Sequence, residues 1–240
     1  MDSKSNQNNS IKKKSRFVSD GLTVKLKKTR GKSTSQQRWL TRQLNDPYVR
    51  AAQQQGWRSR AAFKLIELDQ KFHIFKPNMK VIDLGAAPGG WSQVAKSLKA
   101  KQVVGIDLLA IEPMTDVEFI QGDFTDVSNS KLLISKLKGK ADVVLSDMAP
   151  NTTGHSGTDH IRIMNLTEEA IYFAARILNP GGIFVAKVFQ GGTEKELLIR
   201  LKQMFSIVKH AKPPASRKES KELYVVAMGF RPSEISLSNK

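Results

Sequence analysis

Residues 81–91 read VIDLGAAPGGW: a short apolar run, then a loop of small residues that ends at a tryptophan. A helix-like segment follows at 92–98. This order predicts a strand, a loop and a helix. Glycines let a ligand approach the backbone closely, and the start of a helix offers free N–H groups. The pattern is therefore typical of an α/β sheet that holds a nucleotide-like ligand in this loop.

Strands and helices are predicted to alternate from residue 80 onward. Candidate strands lie at 80–84, 102–107, 117–121, 141–146, 182–188, 205–210 and 222–229, and candidate helices at 90–99, 128–138, 160–178 and 193–203. Several strands are unbroken apolar runs, which favours burial on both faces. The pattern predicts an α/β fold with a mostly parallel seven-stranded sheet and helices on both faces. Pro213-Pro214 precedes the final strand, which is predicted to be antiparallel.

Basic charge is concentrated at the two ends of the chain. Residues 1–60 contain 15 Lys and Arg against three acids, residues 61–200 contain 16 against 16, and residues 201–240 contain eight against three. A neutral body with basic ends indicates a catalytic core that grips a polyanion. The alternative for the first residues is a solvated tail that is merely basic.

The chain is predicted to contain a flexible basic tail at 1–33, a catalytic domain at 34–232 and a short tail at 233–240. Apolar residues at helical spacing predict a helix over 34–45, and Ser59 is predicted to cap a helix that ends at Phe72. The segment 34–60 is predicted to be an ordered binding surface, because its basic residues are interleaved with aromatic and apolar ones.

Composition excludes several classes of protein. The chain has no cysteine, which excludes disulfides and thiolate metal sites and favours a reducing, cytoplasmic location. No apolar run is long enough for a membrane span, so no membrane partner is expected. The four histidines form no metal-ligand pattern, and no metal is expected.

The loop itself favours a cofactor without phosphates. It contains neither Gly-Lys-Ser/Thr nor Gly-x-Gly-x-x-Gly, and Pro88 removes an N–H donor. S-adenosyl-L-methionine is the common cofactor of this kind. Asp107 closes the second strand, where a carboxylate can accept hydrogen bonds from ribose hydroxyls, and Asp123 follows the third strand, near the expected adenine. Either aspartate could instead be a turn residue.

Four charged residues are candidates for catalysis. Lys187 interrupts an apolar strand, and a buried lysine must be paired or lose its proton. Asp147 ends the fourth strand, at the sheet edge where α/β proteins bind ligands. Taken alone, Glu222 would be a surface strand residue, and Lys64 a solvated helix residue that pairs with Glu67.

Several motifs in order resemble the FtsJ-type 2′-O-ribose RNA methyltransferases over roughly residues 45–230. The motifs are 83–91, Gly122-Asp123-Phe124, Ser146-Asp147-Met148-Ala149-Pro150, Lys187-Val188-Phe189-Gln190-Gly191, and Ser216-Arg217 through Glu222-Leu223-Tyr224. The resemblance implies a Rossmann-like S-adenosylmethionine-dependent methyltransferase fold. It also implies a catalytic tetrad of Lys64, Asp147, Lys187 and Glu222. The cofactor residues it implies are Gly89, Trp91, Asp107, Asp123 and Asp147.

The resemblance is strongest to the bacterial members that methylate a uridine ribose in large-subunit (23S-type) ribosomal RNA. The implied partner is therefore ribosomal RNA, in the assembled large subunit, bound by a monomeric enzyme. Basic residues expected to bind RNA are Arg38, Arg42, Arg50, Arg58 and Arg60. The basic N-terminal tail is longer than the core enzyme needs, and no catalytic role is assigned to it.

The implied reaction transfers a methyl group in line to a ribose 2′-oxygen. Lys187 either accepts the hydroxyl proton or stays charged and stabilises the developing oxyanion, with Lys64 and Glu222 as positioning groups. Transfer RNA is an alternative substrate, and a non-catalytic ribosome-assembly factor is an alternative function. A dinucleotide-dependent oxidoreductase is disfavoured by Pro88.

Overall fold

The computed structural model of the chain describes Gly31 and residues 33–149, 156–189 and 195–232. The predicted tails lie outside the described residues, apart from Gly31 and Ser33. Contacts divide the chain into two compact units, Met1–Gln55 and Gly56–Lys240. The boundary falls within the predicted basic segment 34–60, whose last residues therefore belong to the larger unit.

The described part of the first unit consists of two helices, α1 (Thr34–Asn45) and α2 (Pro47–Gln55). A capping box begins α1: the Ser33 hydroxyl accepts from Gln36 N, and the Gln36 side chain accepts from Ser33 N. Pro47 occupies the first position of α2, where its missing N–H costs nothing. The helix predicted over 34–45 is confirmed.

One seven-stranded sheet forms the second unit, in the order β3-β2-β1-β4-β5-β7-β6. The strands are β1 (Lys80–Leu84), β2 (Gln102–Asp107), β3 (Glu118–Gln121), β4 (Ala141–Ser146), β5 (Leu178–Phe189), β6 (Phe205–Ala211) and β7 (Glu222–Phe230). The pairs from β3 to β5 are parallel, and β7 is antiparallel to both β5 and β6. The predicted mostly parallel sheet and its antiparallel last strand are confirmed.

Helices cover both faces of the sheet. They are α3 (Ala61–Phe72), α4 (Gly90–Ser97), α5 (Val127–Leu137), α6 (Ser156–Ile177) and α7 (Lys195–Met204). One core cluster joins apolar residues of α5, α6 and α7 to one face, and a second joins α3 and α4 to the other. Along β4, for example, Val144 belongs to the first cluster and Val143 to the second. Burial on both faces explains the unbroken apolar strands.

Two local predictions differ from the structure. Ser59 does not cap α3, because the helix starts at Ala61 after Arg60 and has no side-chain cap. The Ser59 hydroxyl is buried without a hydrogen-bond partner and faces Gly90, where a Cβ would collide with it. Strand β5 begins at Leu178 rather than 182, because Leu178 already pairs with Ala141 before a register shift. No described helix is long and apolar enough to cross a membrane.

Candidate active site

The strand order brings three of the four catalytic candidates to one edge of the sheet. Asp147 directly follows β4, whose last residue Ser146 pairs with Ala186, the neighbour of Lys187. Since β7 is antiparallel to β5, its first residues lie beside the last residues of β5. Lys187 therefore pairs with Tyr224, and Glu222 lies two residues further along the same register.

The four predicted catalytic residues meet in one buried cluster, in which two ammonium groups alternate with two carboxylates. Lys187 Nζ lies 3.1 Å from Asp147 Oδ1 and donates to the Asp147 carbonyl oxygen at 2.6 Å. Lys64 Nζ, from α3, lies 2.8 Å from Glu222 Oε1 and 3.9 Å from Asp147 Oδ2. Only 7% of Lys64 and 9% of Lys187 is exposed, so these are buried ion pairs rather than surface ones.

Tyr224 is a fifth member of the cluster, and the sequence reasoning did not assign it a role. Its hydroxyl accepts from Lys64 Nζ at 3.0 Å and donates to Asp147 Oδ1 at 2.7 Å, with Glu222 Oε1 3.2 Å away. Its ring is fully buried and packs 5.6 Å from the Trp91 ring. The sequence could have indicated this role, because Tyr224 lies two residues after Glu222 and alternate residues of a strand share a face.

The surroundings fix the protonation of two members of this cluster. Burial raises the pKa of Asp147, but the charges of Lys187 and Lys64 outweigh burial and hold this pKa below its ordinary value. Burial, followed by the charges of Asp147 and Glu222, raises the pKa of Tyr224 well above its ordinary value. Asp147 is therefore a carboxylate and Tyr224 a neutral hydroxyl donor at neutral pH.

The loop between β6 and β7, residues 212–221, holds Glu222 in place. The Ser216 hydroxyl donates to Glu222 Oε1 at 2.8 Å. The main chain of the neighbouring Ala215 is also held. Its N–H donates to Glu67 Oε2, on α3, at 2.7 Å, and its carbonyl accepts from Nη2 of Arg60, the residue before α3, at 2.6 Å. Within the loop, Lys212 Nζ donates to the carbonyls of Lys218 and Ser220. The carboxylate thus sits on a preorganised support.

The small-residue loop after β1 forms the second part of the site. Gly85 has φ +73°, and a Cβ there would collide with the Met148 side chain. Gly89 has φ +101° and precedes α4, whose first N–H groups have no partner within the helix. At the end of β2, Asp107 Oδ2 accepts from Ala87 N at 3.0 Å, and Oδ1 accepts from Leu109 N at 2.9 Å. The Asp107 carboxylate therefore joins the loop to the segment that follows β2.

Asp83, on β1 beneath this loop, is a buried carboxyl with one free oxygen. Its Oδ2 accepts from the Ser92 hydroxyl at 2.6 Å, whereas its Oδ1 is buried and has no hydrogen-bond partner in the part of the chain that the structure describes. Burial, and then the charges of Asp147 and Asp107, raise the pKa of Asp83 to about 7. Asp107, Asp83 and Asp147 thus lie at or near the ends of adjacent strands β2, β1 and β4. Asp83 and Asp107 have no ion-pair partner among the described residues, a setting that fits a cationic ligand such as a sulfonium.

Two predicted cofactor residues have their side chains engaged elsewhere. Trp91 is buried, and its indole N–H donates to the Ala61 carbonyl at 2.8 Å, so only its main chain is available to a ligand. Asp123 is exposed, and its Oδ1 accepts from the N–H and hydroxyl of Thr125, as in an Asx turn. Their binding of a cofactor stays a prediction.

The five arginines predicted to bind RNA lie in different settings. Arg38 and Arg42 are exposed on α1, and Arg50 lies on α2. Arg58 donates to the carbonyls of Pro88, Glu112 and Pro113, and Arg60 to that of Ala215. The RNA contacts of all five stay predictions.

Comparison with known proteins identifies the class to which this fold and site belong. The family model for FtsJ-like methyltransferases matches residues 57–230, and the chain belongs to that family. The predicted methyltransferase activity, family and fold are confirmed.

Individual relatives agree with this assignment. The chain is 61% identical over 218 residues to the ribosomal RNA large subunit methyltransferase E of Gluconobacter oxydans, a match that covers 91% of this chain and 81% of that protein. It is 63% identical over 213 residues to the protein of the same name from Granulibacter bethesdensis, covering 89% and 93%. Among solved structures, a ribosomal RNA methyltransferase from Plasmodium falciparum is 34% identical with a TM-score of 0.65, covering 74% of this chain and all of that chain.

Proposed function

We propose that this protein transfers a methyl group from S-adenosyl-L-methionine to the 2′-hydroxyl of a uridine ribose in large-subunit ribosomal RNA, in the assembled subunit. The observation that carries the proposal is the buried cluster of two lysines and two carboxylates beside the glycine loop. The names of the relatives support ribosomal RNA as the substrate. Such a substrate is consistent with a cytoplasmic, monomeric enzyme.

The cofactor would be held at the ends of β1, β2 and β4. Asp107 and Asp123 would bind its nucleoside part, the main chain at Gly89 and Trp91 would line it, and Asp147 would face its charged end. When bound, S-adenosylmethionine supplies an electrophilic methyl group on a sulfonium. The acidic groups along these strand ends support this assignment because they favour a cationic ligand.

Lys187 is proposed to stabilise the oxygen that receives the methyl group. Its ammonium has three N–H donors, and Asp147 accepts two of them through Oδ1 and the carbonyl oxygen. One N–H donor of Lys187 therefore remains for the ribose 2′-oxygen. In this role Lys187 would stabilise the negative charge that develops on the 2′-oxygen. That oxygen would take the methyl group as the sulfonium S–CH₃ bond breaks to leave a neutral thioether, and the hydroxyl proton would pass to water.

Lys64, Glu222 and Tyr224 are proposed as positioning groups. Lys64 bonds to both Glu222 and the Tyr224 hydroxyl, and that hydroxyl donates to Asp147. The chain of contacts fixes the carboxylate that in turn fixes Lys187. The two lysines and Tyr224 are buried, and Asp147 and Glu222 are half-buried. Because each is held by another member of the cluster, Lys187 would meet the ribose in one orientation, which lowers the entropic cost of the reaction.

The RNA is proposed to lie across the β6–β7 loop of the second unit. Lys218 and Lys221 are exposed on that loop, within four residues of Glu222. Phosphate contacts from such lysines would hold the RNA backbone beside the reacting ribose. In the first unit, Arg38, Arg42 and Arg50 are proposed to bind RNA phosphates in their own right.

The test is to map 2′-O-methyl sites in ribosomal and transfer RNA from cells with and without this protein. We expect one uridine of large-subunit RNA to lose its methyl group, and to regain it when wild-type protein, but not Lys187→Ala, is supplied. Incubating the purified enzyme with naked RNA and with isolated large subunits then separates the two substrates. A lost site in transfer RNA alone would contradict the proposal.

A further inference from the structure

Arg58 bridges the glycine loop to the segment that follows β2. Its Nη1 donates to the Pro88 carbonyl at 3.2 Å and to the Glu112 carbonyl at 2.6 Å, and its Nη2 donates to the Pro113 carbonyl at 2.6 Å. Pro88 belongs to the loop, whereas Glu112 and Pro113 belong to the connection between β2 and β3. One guanidinium therefore ties together two walls of the proposed cofactor site.

The backbone of Arg58 is itself fixed to the helix that follows the loop. The Gln93 side chain, on α4, accepts from Arg58 N at 2.9 Å and donates to the Gly56 carbonyl at 2.8 Å. The guanidinium also lies 5.9 Å from the centre of the Phe119 ring on β3. Both the backbone and the guanidinium of Arg58 are thus anchored, which makes the bridge rigid.

The glycine loop is shaped around this bridge. A Cβ on Gly89 would lie 3.0 Å from Arg58 Nη1 and 3.3 Å from Phe119 Cζ, closer than ordinary van der Waals contact. Gly89 therefore lets the guanidinium reach the Pro88 carbonyl. Asp107 links the same two walls a second time, because its Oδ2 accepts a hydrogen bond from Ala87 N.

We infer that Arg58 is a positioning residue for cofactor binding, which holds the glycine loop and the 108–117 segment at a fixed separation before the cofactor arrives. This inference rests on the proposed use of S-adenosylmethionine, and it replaces the expected contact between Arg58 and RNA. Lysine could not substitute, because its single ammonium lacks the planar fork that reaches carbonyls on both walls.

The test compares Arg58→Ala and Arg58→Lys with Arg231→Ala. Arg231 is a matched control, because its guanidinium also donates to three carbonyls, those of Lys202, Gln203 and Phe205, but beyond the opposite end of β7 from Glu222. The first measurement is amide hydrogen exchange in the cofactor-free protein. We expect faster exchange at 86–93 and 108–117 in the Arg58 variants only.

The second measurement is calorimetric titration with S-adenosylmethionine in the absence of RNA. We expect Arg58→Ala to raise the dissociation constant roughly tenfold, the factor for a loop that is correctly ordered about a tenth of the time. Turnover on RNA at saturating cofactor should stay within about twofold of wild type. The salt dependence of RNA binding should be unchanged.

Three outcomes separate the possibilities. If wild type fails to bind S-adenosylmethionine, the proposed function is wrong. If wild type binds it and folded Arg58→Ala binds it equally well, this inference alone is overturned; a salt slope reduced by about 0.7 in that variant would then assign Arg58 to a phosphate. If Arg58→Ala does not fold, Arg58→Lys decides in its place, and wild-type affinity in that variant overturns the inference.

Discussion

Two buried carboxyl groups on adjacent strands of this sheet have opposite surroundings. Asp147, after β4, lies between two ammonium groups and a hydroxyl, and its pKa is held below the ordinary value despite burial. Asp83, on β1, has one hydroxyl partner and a free buried oxygen, and its pKa is raised to about 7. Among the described residues no cation forms an ion pair with Asp83. The same chemical group is therefore charged in one place and only partly ionised at neutral pH in the other.

The comparison separates a region whose charges are balanced within the chain from one whose acidic groups are not. In the catalytic cluster every charge is neutralised by the chain itself, so its geometry does not depend on a ligand. In the cofactor region the strand ends carry unbalanced acidity, which a bound cation would neutralise. Substitutions in the two regions should therefore change different measured quantities.

The largest effect is expected from Lys187→Ala. We expect turnover to fall about a hundred- to a thousandfold, the usual loss when one donor to a developing oxyanion is removed. Lys187→Arg should also fail, since a guanidinium is larger than the ammonium it replaces. Methyl transfer from labelled cofactor to RNA measures both, and Lys209→Ala, an exposed lysine on β6, is the control. Wild-type turnover in either Lys187 variant would make that lysine purely structural.

The second prediction concerns Asp83→Asn and pH. The native Asp83 carboxyl keeps its proton up to about pH 7, whereas the unfolded one releases it near 3.8. Between these values the native state binds more protons, so the free energy of unfolding falls as pH rises. A shift of this size is worth at most about 4 kcal/mol. We expect Asp83→Asn to remove this fall, because an amide has no such ionisation.

Urea unfolding of the cofactor-free protein at pH 5 and pH 8 measures this effect. The variant should gain stability over wild type at pH 8, and the gain should shrink at pH 5. Asp116→Asn, at an exposed surface pair with Lys96, serves as the control and should change neither value by more than a few tenths of a kcal/mol. An equal difference at both pH values would show that Asp83 does not titrate in this range.

The third prediction concerns the other carboxylate of the cofactor region, Asp107. We expect Asp107→Ala to weaken S-adenosylmethionine binding by about 1.5–3 kcal/mol, the cost of losing a hydrogen bond to a charged group. Calorimetric titration without RNA measures it. Glu112→Ala removes an exposed carboxylate from the same connection and should leave affinity unchanged. Unchanged affinity in Asp107→Ala would move the ribose site elsewhere.

The smallest effect is expected from Tyr224→Phe. The ring and its packing remain, and the ion pairs of Lys64 and Lys187 survive without the hydroxyl. We expect turnover to fall less than about tenfold, which is about 1.4 kcal/mol, because the ion pairs of Asp147 with Lys64 and Lys187 already hold that carboxylate in place. Tyr172→Phe, at an exposed tyrosine, is the control. A loss as large as that in Lys187→Ala would make the hydroxyl part of the proton path.

Much of the fold could be predicted because the strands are buried on both faces. A run such as Val143-Val144-Leu145 has no polar position to blur its limits, and β4 has the predicted bounds. The four predicted catalytic residues could be predicted as a group only by resemblance to a family, although Lys187 and Asp147 already stood out in their own segments. Lys64 alone resembles a surface helix residue, and only the folded chain brings it to Glu222.

The missed features depend on main-chain atoms or on distant segments. Tyr224 lies within an apolar strand, where a tyrosine is normally a core residue, and its hydroxyl partners come from other elements. Arg58 contacts carbonyls 30 to 55 positions away, and main-chain acceptors leave no trace in a sequence. The cap at Ser59 was wrong because tight packing against Gly90 decides the orientation of its hydroxyl.

The place of β7 in the sheet sets an order of events during synthesis on the ribosome. Every strand of the cofactor region, β1 to β4, leaves the exit tunnel before β7, the last of the described strands. The nascent protein can therefore build its cofactor loop early, yet β5 and β6 cannot be joined until β7 inserts between them. Until then both expose unpaired strand edges, which are prone to wrong pairing. The cluster of Lys64, Asp147, Lys187 and Glu222 can therefore be complete only when β7, which carries Glu222, has joined the sheet.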